Sequence, residues 1–463
     1  MARAGTGQSG WRVAPASTLP RLRSHLTRVP TSVWIWLAIA LALRVLLVAL
    51  TWHTKLTLDP SDFNRSAASI AGGHGYPPTN RAPGGGPSAF RPPAYPFLLA
   101  AVYVFAGHPD PAAGRLVGAC LGLASVALIT LIAFRLWGRR VAMVALGIAA
   151  VAPPLVVLST ALISEALVVP LILAAVLAAL EARTSPRPIR WAILTGVLVG
   201  LAALTRTNAL ILLIPFALAF LPHTAWRRPR SWVAPAVVIL AAGLTIAPWT
   251  IRNAVVFGRF IPISDESGYT LAGTYNQVSR ASTRFPANWI EAEHGASPEY
   301  ARILQTARRE RWNEPTYGSH LQAQAFQEIA SHPAYVLKVA YWNAIRMFDV
   351  AEIRLARNNL ANTDIPLAPA LALMNSAPLL EVLALGGLLI RAARRVPRWF
   401  WLVPLSLLTT LFVSGFIRFR APIDPFLVML AALFLTDIWE SMFRGRSRQG
   451  AATGGAGAYS AGS

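Results

Sequence analysis

Two carboxylates three residues apart, Asp59 and Asp62, stand in the run Asp-Pro-Ser-Asp-Phe just beyond an apolar stretch. A carboxylate pair there can take a proton from an attacking hydroxyl. Solvated loop acids or helix N-caps would look the same. A third acid, Glu165, follows Ser164 between two later apolar stretches. An acid at a helix N-terminus is favourable in itself, and it also suits a residue that orients a substrate or holds a cation. Arg206, Arg252, Arg418 and Arg420 also sit where apolar stretches end. Guanidinium groups bind phosphate through paired hydrogen bonds, so several converging at one membrane face would suit a lipid phosphate. An Arg at that level can also snorkel to ordinary headgroups. Arg206 and Arg420 read most strongly as ligands, and Arg252 and Arg418 stay undecided. Arg44, inside the first apolar stretch, receives no role. Cys120 is the only cysteine and reads as a small core residue, which excludes an intramolecular disulfide and a Cys metal site. His53, His74 and His108 show no metal-ligand spacing.

The elements that must position these residues are long apolar helices. Of 463 residues, 55% are hydrophobic and 13% charged, where soluble proteins average about 25% charged. The formal charge of +22 comes almost wholly from Arg. The arginines cluster between apolar runs, so they read as topology signals and argue against a nucleic-acid partner. The expected fold is an all-α polytopic membrane protein. Each spanning helix needs roughly 20 apolar residues, and about ten stretches qualify: 33–51, 112–134, 141–160, 164–181, 189–204, 207–222, 232–250, 376–391, 399–416 and 423–441. With the N-terminus inside, the loops at 135–140, 182–190, 223–231 and 391–398, and the C-terminal tail, would be cytoplasmic, and every one is Arg-rich. Tyr95–Ala106 is too short to span and is placed as an interfacial helix at the outer face. The division that follows is a basic tail at 1–32 and a transmembrane module at 33–250, whose first outer loop is 52–111. An extracytoplasmic segment at 251–375, C-terminal helices at 376–443 and a disordered tail at 444–463 complete it. No internal repeat is apparent. A lipid flippase or solute transporter is the rival reading from composition, but transporters place ionisable groups near the midplane of repeated halves.

In this order the motifs resemble a known family. Asp59 to Phe63, Gly73-His74-Gly75-Tyr76 and Arg91-Pro92-Pro93-Ala94-Tyr95-Pro96 come first. Ser164-Glu165, Gly200 to Arg206, Pro248 to Asn253, His332-Pro333 and Arg418 to Pro425 follow. The set is similar to that of the GT-C superfamily, specifically bacterial members of glycosyltransferase family 39, the dolichyl-phosphate-mannose protein mannosyltransferase type and its aminoarabinose-transferase relatives. The resemblance implies a GT-C bundle of transmembrane and interfacial helices with a small extracytoplasmic region. It implies a polyprenyl-phosphate sugar donor, an inverting transfer at the outer face of a bacterial plasma membrane, and a glycan, lipid or protein acceptor. The family's catalytic Asp falls on Asp59, with Phe63 where the family usually has Tyr. Here Pro60 follows the Asp, and the second acid is Asp62, so which of the two is the base stays open. Glu165, Arg206, Arg252, Arg418, Arg420, Tyr76 and Arg91 are the implied substrate-binding set. No cofactor is implied. Metal use varies among relatives, and Asp59 and Glu165 would be the ligands of a divalent cation.

Overall fold

The computed structural model describes residues 29–222, 227–292, 295–350 and 367–454. Nearly all of the expected tail at 1–32 lies outside them. Among the described residues the chain is helical, without strands. Six helices are long and apolar enough to cross a membrane: α1 (Thr31–Leu50), α4 (Pro111–Trp137), α7 (Glu165–Ala182), α8 (Pro188–Thr205), α10 (Val233–Phe257, preceded by a short 3-10 turn) and the N-terminal part of α17 (Asp424–Gly454). A further pair, α5 (Arg139–Val151) and α6 (Pro153–Thr160), is long and apolar enough only when taken together and is bent by 51°.

Of the ten expected stretches, six fall on these long helices and 141–160 on the bent pair. Helix forms in every expected stretch, but three segments are shorter apolar pieces: Thr207–Ala219, whose regular part is α9 (Leu213–Ala219); Asn375–Leu389 of α15 (Leu367–Leu389); and Arg398–Phe412, beginning as α16 (Arg398–Leu407). Pro215, Pro378 and Pro404 lie inside these helices without ending them. Two are completed by 3-10 turns, Thr207–Leu212 and Leu408–Phe412. Two boundaries also move. The expected border at 375 falls inside α15, and the expected tail from 444 continues α17 to Gly454, with 455–463 outside the described residues. Cys120, expected in the core, faces outward from α4.

The bundle core joins Val126, Leu146, Leu173, Val199, Phe400 and Phe426 from six helices. Apolar side chains on the other faces stay open, among them Trp34, Leu50, Leu244 and Leu379, as expected of helices solvated by lipid. Within the core α4 meets the α6 end through Gly118 and Gly122, where a Cβ would strike the Ser159 carbonyl and the Ser159 side chain. Small residues permit this close approach. Arg44 lies fully buried beside it. Its guanidinium donates to the carbonyls of Ala40 (2.9 Å), Ala150 (3.4 Å) and Leu155 (3.2 Å) and to Ser159 Oγ (3.2 Å). The Ala150 carbonyl would normally take a bond from residue 154, which is proline. Arg44 thus supplies a donor where the α5–α6 break removes one, in a region where lipid supplies none.

The loop between α1 and α4 carries α2 (Leu58–Ala71) and α3 (Ala94–Ala106). The segment after α10 folds as a small lobe of α11 (Glu266–Thr274), α12 (Pro298–Glu310), α13 (Glu314–Ser331) and α14 (Pro333–Met347). Its core is aromatic, with Tyr269 edge-on to both Tyr317 (5.9 Å) and Phe90 (5.2 Å). Gly268 and Gly318 let α11 and α13 touch backbone to backbone. Phe90, from the loop between α2 and α3, is thereby anchored in the lobe, and the adjacent Arg91 is aimed by it.

Candidate functional site

Most charged residues of the site stand near a helix end, whereas Arg81 and Arg91 lie in the loop between α2 and α3. Asp59 is in the first turn of α2 and Asp62 lies one turn later on the same face. Leu58, just before them, is held at φ 45°, a conformation unusual for a branched residue. Glu165 opens α7. Arg206 terminates α8 in extended conformation (φ −148°, ψ 118°), which turns its side chain out of the helix axis before the 3-10 turn. Arg418 sits in another short 3-10 turn, Ile417–Arg420, ahead of α17. Convergence of these residues puts the end of α8 and the starts of α2, α7 and α17 on one side of the bundle.

There the carboxylates and guanidinium groups alternate. Arg81 pairs with Asp62 (2.6 Å), which also accepts from Arg91 (3.1 Å). Arg91 then bonds Asp59, Asp59 bonds Arg418, and Arg418 Nε lies 3.8 Å from Glu165, whose other partner is Arg206. Glu266, at the start of α11, branches from Arg91 at 3.1 Å. Burial alone would raise the Asp59 carboxyl pKa, but Arg418 and Arg91 outweigh it and hold the group well below the usual carboxylate range. Asp59 is ionised and spoken for on both oxygens. Arg206 is stacked over Phe419, 4.4 Å from the ring centroid, which fixes the plane of its fork.

The expected residues divide accordingly. Asp59, Asp62, Glu165, Arg206, Arg418 and Arg91 come together. Tyr76 supports them: its hydroxyl donates to the Arg91 carbonyl at 2.5 Å. Arg252 is adjacent, over Trp249 (4.8 Å) and Tyr76 (5.7 Å), and donates to the Ser88 carbonyl (2.9 Å). Arg420 does not join. Its fully buried guanidinium bonds Asp424 (2.7 Å) and Glu381 (2.6 Å) and ties the 3-10 turn to α17 and α15. The reason is angular, because two residues along a 3-10 turn, at about 120° per residue, are about 120° apart by the shorter way round and so point in different directions. The Asp59 and Glu165 pair does not fit a shared cation, since the Arg418 guanidinium occupies the space between them. Among the described residues no three metal-ligating side chains gather.

Glu266, Arg81, Phe419 and Glu314 were not anticipated. Glu314 accepts from Ser88 Oγ (2.9 Å) and Ala89 N–H (2.6 Å), holding the loop that carries Arg91. Glu266 and Glu314 each open a helix, so in the sequence they look like ordinary first-turn acids.

Residues 90–251 match the family model for dolichyl-phosphate-mannose-protein mannosyltransferase. That stretch holds Arg91, Glu165 and Arg206. Over 91% of the chain the structure superposes on archaeal oligosaccharyltransferase AglB from Archaeoglobus fulgidus, solved with an inhibitory peptide and a dolichol-phosphate, at a TM-score of 0.54 and 15% identity, covering 51% of that chain. The fold is that of the archaeal oligosaccharyltransferase. The apo form of the Archaeoglobus oligosaccharyltransferase gives a TM-score of 0.53 at 15% identity, over 91% of this chain and 52% of that one. ArnT from Cupriavidus metallidurans bound to undecaprenyl phosphate gives 0.40 at 15% identity, over 88% and 78%. The chain spans about half the length of the archaeal enzyme. No curated protein sequence matches it.

Proposed function

We propose that this GT-C protein transfers a sugar from a polyprenyl-phosphate donor to an acceptor hydroxyl, with inversion, at the outer face of a bacterial plasma membrane. The observation that carries the reading is the alternating network from Arg81 to Arg206, built at the ends of membrane helices. A lipid phosphate leaving group needs fixed positive donors that are in place before charge develops. Arg206 ends the network with Glu165 as its one ion-pair partner and has an oriented, partly open fork. Arg418, next along, is the second phosphate ligand, and its buried Nε has no hydrogen-bond partner. Arg91, Asp59 and Asp62 lie toward the outer lobe, where the acceptor would enter, and Glu165 orients Arg206 and Arg418. Arg252 and Tyr76 hold the loop between the two regions. Residue placement favours this over a transporter, because the ionisable groups gather at helix ends on one side. The basic loops support placing that side outside. The fold likeness to a protein solved with dolichol-phosphate supports a polyprenyl carrier.

The reaction is a single displacement. The acceptor oxygen attacks the anomeric carbon, its proton passes to a site carboxylate, and the bond to the phosphate oxygen breaks with the electron pair leaving on the lipid phosphate. Much of the acceleration would come from holding two substrates together at one interface. The test is sugar release or transfer from radiolabelled polyprenyl-phosphate sugars by purified protein. Turnover by wild type that is lost in Asp59→Asn, with donor still bound, is expected. Transbilayer movement of the lipid without turnover would overturn the reading in favour of a flippase.

A further inference from the structure

Four carboxylates belong to the network, and one of them is not saturated. Asp59, Asp62 and Glu165 each face two guanidinium groups. Glu266 faces Arg91 alone, through Oε1, among the described residues. It is also the most open, with 35% of its side chain accessible against 16%, 14% and 1% for Asp59, Asp62 and Glu165. It comes from the start of α11, so it projects from the outer lobe onto the same arginine that holds Asp59 from below. A proton acceptor needs a free lone pair within reach of the incoming hydroxyl. Glu266 Oε2 meets that need, whereas both oxygens of Asp59 are taken by Arg91 and Arg418.

We propose that Glu266 accepts the proton of the attacking hydroxyl, while Asp59 and Asp62 act as anionic struts that fix Arg91 and Arg418. The assignment rests on the transferase reading above. In the step, the acceptor O–H bond breaks toward Glu266 Oε2, the oxygen bonds the anomeric carbon, and the phosphate oxygen departs toward Arg206 and Arg418 with its electron pair. The new carboxylic acid then loses its proton to solvent at the open side. Burial raises the Glu266 carboxyl above its ordinary value; Arg91, Arg206 and Arg81 lower it, and Asp59 raises it further. Tyr76 and Asp265 are the other titratable neighbours. The balance leaves Glu266 a stronger base than an ordinary glutamate, whereas Asp59 is a weaker one than an ordinary aspartate.

The test uses the full chain in detergent, a radiolabelled polyprenyl-phosphate hexose, and two nucleophiles: water, which must lose a proton, and azide, which carries none. Glu266→Gln keeps an acceptor for Arg91 but cannot take a proton. Its hydrolysis rate is expected to fall by about 100-fold or more, with donor KM unchanged and glycosyl azide formed at the wild-type rate. The acid limb of the wild-type pH profile should vanish in this variant. Asp59→Asn, which loosens the arginines, should lose both reactions. If Glu266→Gln folds poorly, Glu266→Asp carries the test, with slower hydrolysis and the acid limb retained. Wild-type hydrolysis and pH profile in Glu266→Gln would overturn the assignment, as would loss of the azide reaction together with hydrolysis. A wild type without turnover would overturn the transferase reading and this assignment with it.

Discussion

Arg418 and Arg420 show how two neighbouring residues of one type acquire different work. Arg420 neutralises Asp424 and Glu381 inside the bundle. Removing one member of such a buried set costs about 3–5 kcal/mol. Arg420→Ala is therefore expected to lower the unfolding temperature strongly, as read by thermal unfolding in detergent. Arg418→Lys keeps the charge but loses the planar fork that reaches Asp59 and Glu165 together. We expect it to weaken polyprenyl-phosphate binding at least about tenfold, a loss of roughly 1.4 kcal/mol, with the unfolding temperature nearly unchanged. A second residue-scale effect comes from Asp265. Burial, then the neighbouring Glu314 charge, push its carboxyl from the ordinary 3.8 up to about 8. From the ordinary carboxylate range upward, the folded protein keeps a proton that the unfolded chain has released. Stability is then greatest at the acid end of this window and falls as pH rises toward about 8. Asp265→Asn should flatten that slope in unfolding measured across the window.

At the scale of elements, function depends on where helices stop. Pro153 and Pro154 break the α5–α6 pair, and Arg44 on α1 reaches across to the freed Ala150 carbonyl. An orphaned buried carbonyl costs about 1–3 kcal/mol. Arg44→Leu would orphan it and leave the neighbouring carbonyls with fewer donors. The apolar replacement suits lipid better in composition, yet we expect it to be destabilising, with a lower unfolding temperature. The same logic places the site. Arg206 escapes its helix because α8 ends in extended backbone at that residue. Arg418 is presented by a turn too short to be a regular helix. Phe90 and Glu314 then join the loop between α2 and α3 to the lobe of α11 to α14, so that Arg91 meets Asp59 and Glu266 together.

At the scale of the whole molecule, the proposal requires the network and the outer lobe to face outside. Cys120 is the only native thiol, so Cys120→Ala gives a silent background. Ser319 on α13 and Arg187 before α8 are both exposed. In intact cells a membrane-impermeant maleimide should label Ser319→Cys and spare Arg187→Cys until the membrane is permeabilised. The reverse pattern would turn the molecule over and refute the outer-face site.

Composition, apolar run length and the Arg-rich loops were enough to state a polytopic helical membrane protein, because lipid contact constrains every residue of a spanning segment. Asp59, Asp62, Glu165 and Arg206 were also legible, since charge at the end of an apolar helix stands out against its neighbours. Three things were not. The number of full crossings depended on prolines whose effect differs with context: Pro170 and Pro248 lie within α7 and α10, which remain long helices, whereas Pro153 ends one. The choice between Arg418 and Arg420 turned on the rotation of a four-residue turn. Glu266 pairs with Arg91 across 175 positions, a separation at which local pattern carries no information. Helices follow from interactions between each residue and its solvent, which a sequence contains. Partners of charged groups follow from interactions between distant residues, which only the packed chain decides.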